Sequence, residues 1–196
     1  LELRLNKDML VMSSPVSRAL DLLGMTSLHD QAYALLFEPE VIEEVYKLES
    51  MTGVQCVVAD TAMIVPAELA RLGMRDDAQA MADNAIKLAQ AAKPQHVIVE
   101  IGPCALPLDA SSKSSLLENR DQYTRAAKLY DDVSFDAFFL NGFTRVADLK
   151  CALMGIRKVS DKPIIASVDV DGEGVLRRRV AASVAAGSES AMQESI

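Results

Sequence analysis

Basic side chains are scarce in this sequence: 20 Lys and Arg stand against 28 Asp and Glu, for a net charge of −8. Nucleic-acid affinity comes mainly from clustered cations that release counterions, so this balance argues against a nucleic-acid partner. No apolar run approaches the roughly 20 residues that cross a bilayer, and no basic stretch followed by an apolar one opens the sequence. We therefore expect a soluble, cytoplasmic protein with no membrane role. Cysteine is sparse too, with Cys56, Cys104 and Cys151 lacking any close pair. Neither a disulfide framework nor a paired-cysteine metal knuckle is written here. The chain lacks GxSxG, GxxxxGK[ST] and GxGxxG, which removes the usual hydrolase, NTPase and dinucleotide signatures. His29 and His96 stand alone and suggest no metal pair.

What is present is a series of short apolar runs. Val54–Val58, His96–Val99, Ala137–Leu140 and Ile164–Val168 are nearly continuous in branched and aromatic residues, with a weaker run at Met9–Met12. Strands covered on both faces read this way, and such strands belong to parallel sheets. Helical periodicity fills the gaps. A helix is expected after Pro39, with Val41, Val45 and Leu48 on its apolar face and Glu43 set to pair with Lys47. Asp76–Lys93 repeats Ala, Met and Leu at three and four, Tyr123, Ala127 and Tyr130 mark another helix, and Val146, Leu149, Leu153 and Ile156 a fourth. The pattern predicts an α/β fold of about five parallel βα units. Two architectures fit it: an incomplete (β/α) barrel resembling the first part of a TIM barrel, and an open doubly wound sheet. We take residues 1–176 as this domain and 177–196, headed by Arg177–Arg179 and rich in small residues, as a C-terminal helix or tail.

Ligands of either fold bind beyond the carboxyl ends of the strands, so the residues after each run are the ones to inspect. All are polar: Ser13 and Ser14, Asp60 and Thr61, Glu100, Asn141 and Asp169. Together they suggest a mouth with three carboxylates, suited to a cation, an amine or a hydroxylated ligand, or to one carboxyl of raised pKa. Asp169, Asp171 and Glu173 look superficially like a calcium loop, but the glutamate that closes such a loop is missing. Cys56 and Cys151 read as buried small hydrophobes, and Cys104, after Gly102 and Pro103, is the thiol best placed to react.

In this order the motifs resemble the homocysteine-binding methyltransferase domain, the barrel of cobalamin-dependent methionine synthase and betaine-homocysteine methyltransferase. Phe37–Ala62 (FEPEVIEEVYKLESMTGVQCVVADTA) is similar to the family's Pro-led helix and second strand, and His96–Pro103 (HVIVEIGP) to its third strand. Phe135–Lys158 (FDAFFLNGFTRVADLKCALMGIRK) and Lys162–Gly174 (KPIIASVDVDGEG) resemble the fourth and fifth strands with the segments that adjoin them. The likeness spans about residues 9 to 176.

The resemblance implies a methyltransferase in which three late cysteines hold zinc, zinc binds the homocysteine thiolate, and groups from earlier strands hold its amino-acid end. It further implies a corrinoid or folate methyl donor. Departures are visible, since Asn141 stands at the family's glutamate and Ser13 and Ser14 at its Asp-Gly pair. The family's TNTF position reads Ala59, Asp60, Thr61 and Ala62, and none of the three cysteines matches a zinc position in order. The expectation is therefore a divergent homocysteine S-methyltransferase-like protein that binds a small amino-acid-like ligand through Ser13, Asp60, Thr61, Glu100, Asn141 and Asp169. It would hold no metal by recognisable ligands and would need a second copy or a partner subunit for methyl transfer. The alternative is a non-catalytic binding or assembly protein that docks with a corrinoid protein or a methyltransferase.

Overall fold

The computed structural model describes residues 4, 7–104, 106–168, 170 and 172–174. Asp169, Asp171 and the expected tail with Arg177–Arg179 lie outside the described residues. Helices α1 (Val16–Leu22), α2 (Leu28–Phe37) and α3 (Pro39–Met51) precede strand β1 (Cys56–Ala59). Helix α4 (Pro66–Leu72), a 3-10 turn (Arg75–Asp77) and α5 (Ala78–Ala91) lead to β2 (His96–Ile101). Then come α6 (Lys113–Lys128), β3 (Ala137–Phe143), α7 (Val146–Arg157) and β4 (Ile164–Val168).

All strand pairs are parallel, and the sheet order is β1-β2-β3-β4, each strand beside its predecessor. A doubly wound sheet reverses its order at a switch point and carries helices on both faces. Here the helices share one face. Val57, Ala59, Val97, Val99, Ile101, Phe138 and Leu140 belong to the large core with residues of the helices. The opposite face holds a separate small cluster of Cys56, Val58, Ile98, Ala137 and Phe139, against which, among the described residues, Leu10, Met12 and Ile165 pack and no helical hydrophobic does. One-sided winding with alternate strand residues facing an inner layer is the construction of a (β/α) barrel, and the fold is part of one.

The four strong runs match the four strands among the described residues. The weak Met9–Met12 run forms only one parallel bridge, from Met12 to Cys56. Its pairing stops there because the Gln55 side chain takes the Val11 amide (2.8 Å) while the Val11 carbonyl accepts from Gln55 and Cys56. Helix α3 begins at Pro39 as expected, but it buries Ile42, Val45 and Tyr46 and leaves Leu48 55% exposed. The rotation follows from Tyr46, whose ring is buried only because its hydroxyl donates to the Val58 carbonyl (3.2 Å) and accepts from the Asp60 amide (2.9 Å). Lys47 accordingly pairs with Glu44 at 3.5 Å rather than with Glu43. Helices α1, α2 and α4 were not anticipated.

One irregularity bears on the site. Leu140 pairs with Ala166 and Phe143 with Val168, so β3 contains one residue more than β4 over this stretch. The extra residue is taken up at Asn141–Gly142, where Gly142 has φ 74°, a left-handed conformation suited to glycine. The bulge lets Asn141 face inward with Phe139 and still returns Phe143 to the outer core, where it meets Tyr123 at 6.0 Å between ring centroids.

Candidate functional site

The inner face changes character at the carboxyl ends of the strands. Below lie Val58, Ile98 and Ala137; above them Asp60, Glu100 and Asn141 line one cavity of about 360 Å³. Asn141 Nδ2 donates to Glu100 Oε1 at 2.8 Å, and its Oδ1 accepts from the Ser167 hydroxyl of β4 at 2.6 Å. Residues from three strands are thus joined in one polar chain. Gly102 and Pro103 form part of the wall, and Gly102 is needed there, because a Cβ on it would come within 2.9 Å of the Ala62 carbonyl that its own amide contacts at 3.1 Å. Gln31 from α2 and Glu68 and Arg71 from α4 complete the mouth.

Two carboxyls meet here in a place poor in water. Asp60 is 3% exposed, and its Oδ2 is buried with no hydrogen-bond partner. Burial, and secondarily the neighbouring Glu100, push the Asp60 carboxyl up to about 7. Burial also raises Glu100, against the Asn141 hydrogen bond, which favours its ion. Near neutral pH the pair therefore carries less than two full charges, and a cation entering the cavity would favour ionisation of both. Beneath them the Tyr46 phenol is held neutral by burial, with the Asp60 charge adding to the effect.

The other sequence-predicted residues have different surroundings. Ser13 is buried and joins the first segment to β1: its amide donates to the Cys56 carbonyl (2.8 Å) and its hydroxyl accepts from the Val58 amide (2.9 Å). Thr61 ties β1 to β2, its hydroxyl donating to the Glu100 carbonyl (2.7 Å) and accepting from the Glu100 amide (2.9 Å). Neither lines the cavity. Ser14 donates to Glu49 on α3.

All three cysteines are buried. Cys104 donates to Asn119 Oδ1 (2.8 Å), and burial raises its thiol pKa, the opposite of what a reactive thiolate needs. His96 sits at the start of β2 facing Asp136 at 3.2 Å, away from the mouth. Gln31, Glu68, Arg71 and Ser167 were missed by sequence reasoning. Only Ser167 carried a usable signal, its even spacing from Ile165 on the inner face of β4.

The profile of the homocysteine S-methyltransferase family matches residues 9–192. The chain belongs to that family. Among solved structures it is similar to the homocysteine methyltransferase MmuM from Escherichia coli in its metallated form, with a TM-score of 0.67 and 15% identity over 88% of this chain and 67% of that one. The oxidized form matches with a TM-score of 0.65 and the apo form with 0.60, both at 15% identity and over 84% of this chain, covering 63% and 62% of theirs. At that identity the likeness speaks for the fold, and the chain spans about two thirds of the length of MmuM. No curated protein sequence matches it. Among the described residues no helix is long and apolar enough to cross a membrane.

Proposed function

We propose that this chain holds the acceptor amino acid of a homocysteine S-methyltransferase-type reaction, in the cavity at the strand ends. The observation that carries the reading is the convergence of Asp60, Glu100 and Asn141 on one cavity, at the end of the inner face where barrels of this kind bind ligands. Paired carboxyls with an unused buried oxygen suit the ammonium group of an amino acid, and the open side leaves room for its thiol-bearing arm.

The family resemblance implies zinc as the thiol activator. Among the described residues no group of three or more His, Cys, Asp or Glu could hold a metal ion. Cys56 lies in the inner strand cluster, Cys104 bonds to Asn119, and Cys151 donates to the Leu116 carbonyl, so their thiols serve separate packing roles. We infer that the described residues alone hold no zinc centre. In this reading thiol activation and the methyl donor, a corrinoid or a folate, come from outside them, from a second copy or a partner subunit.

The test is ligand-induced stabilisation. L-Homocysteine present at a hundred times its Kd should raise unfolding stability by about 2.7 kcal/mol. The double variant Asp60→Ala with Glu100→Ala should fold and lose that response. An equal response in the double variant would remove the site.

A further inference from the structure

Among the described residues the cavity is rich in acceptors and has a single cation, Arg71, at its edge. Asp60 Oδ2 and Gln31 Oε1 are both buried without partners, and each residue is 3% exposed. The orientation of the Gln31 amide is fixed from behind, because its Nε2 donates to Asp21 Oδ1 and to the Met25 carbonyl, each at 3.0 Å. Buried acceptors left unmade are costly, so both call for a ligand that donates. Arg71 is the opposite case. It is tethered to Glu68 one helical turn back, yet its side chain is 62% exposed and the Glu68 side chain only 11%. A guanidinium has five N–H donors in a planar fork, so the contact with Glu68 leaves donors free for an anion arriving from outside.

We propose that the cavity is a cradle for a zwitterion, with an ammonium turned inward onto Asp60, Glu100 and Gln31 and a carboxylate turned outward onto Arg71. Arg71 is then the residue that selects the α-carboxylate. An ammonium supplies three donors, enough to satisfy Asp60 Oδ2, Gln31 Oε1 and Glu100 at once. A neutral polyol could also donate to these oxygens but would leave Arg71 without a role. A dicarboxylate would bring its second charge against Asp60 and Glu100. The inference rests on the proposed acceptor site and adds the direction in which the acceptor lies.

Titration calorimetry with the purified chain separates the two ideas. The probes are L-homocysteine, L-homoserine, homocysteamine (which lacks the carboxylate) and γ-mercaptobutyrate (which lacks the amine). Arg71→Gln should weaken both amino acids about tenfold and leave homocysteamine unchanged, and Arg71→Lys should recover part of the loss. Asp60→Asn should weaken every probe that carries an amine. Unchanged affinity of Arg71→Gln for both amino acids overturns the cradle, as does γ-mercaptobutyrate binding as tightly as L-homocysteine. L-Homoserine binding as well as L-homocysteine, with the Arg71 dependence intact, overturns the thiol-acceptor function and leaves the cradle standing. Binding of neither amino acid removes both.

Discussion

The two faces of one sheet are built from alternate residues of the same strands and have opposite chemistry. The outer face stays apolar throughout: Val57 and Ala59 on β1, Val97, Val99 and Ile101 on β2, Phe138 and Leu140 on β3, all packed under helices. The inner face starts the same way with Val58, Ile98 and Ala137, then turns to Asp60, Glu100, Asn141 and Ser167. Each strand therefore carries stability on one side and, at its end, polar groups on the other, with charge at the ends of β1 and β2. The cost of burying that charge falls on an element the outer face already secures.

The largest effect should come from the outer face. Phe138 is 1% exposed and packs edge-on against Phe135 at 4.9 Å between centroids, so Phe138→Ala should cost about 3–5 kcal/mol in denaturant unfolding. Ligand affinity per folded molecule should not change; a large change would mean that the faces are mechanically coupled.

Next is Asp60→Asn. A carboxyl whose pKa rises from 3.8 to about 7 on folding holds its proton more tightly in the native state. Its contribution to stability is complete below the ordinary carboxyl pKa and is lost as pH rises through about 7. Asp60→Asn should therefore be more stable than the parent at about pH 8, by up to about 4 kcal/mol, with the gap closing toward about pH 4. A gap that does not vary with pH would show that Asp60 ionises freely. The smallest effect belongs to Ser167→Ala, which removes the 2.6 Å hydrogen bond to Asn141 and should cost about 0.5–1.5 kcal/mol. Because that bond fixes the Asn141 amide toward Glu100, the affinity for L-homocysteine should fall more steeply than stability does.

This division also explains what could be read from the sequence. The apolar runs located β1 to β4, and the polar residue after each run led to Asp60, Glu100 and Asn141, because the inward-facing register continues one step past the apolar stretch. Gln31 was not legible, since a glutamine within a helix has no pattern to mark it until α2 is seen crossing the mouth. Glu68 and Arg71 lie on a short helix that periodicity did not bring out. The spacing predicts helix α3 with Val41 and Val45 toward the core but also turns Leu48 there, whereas Tyr46 is drawn inward instead by hydrogen bonds to Val58 of β1 and to Asp60 just after it, which hydrophobic spacing does not register. Ser13 and Thr61 sit at strand ends like their neighbours, but their hydroxyls are spent on backbone groups of the sheet.

The bulge at Asn141–Gly142 has a consequence for how this strand stores its instructions. Alternation assigns each residue to a face by counting, and an extra residue reverses the count for everything after it unless a bulge takes it out of the count. Were Gly142 pleated like its neighbours it would be counted, and the Phe143 ring would turn toward the ligand mouth and leave its place beside Tyr123 empty. The partition between core and site is thus held at this point by the backbone of one glycine rather than by the side chains around it.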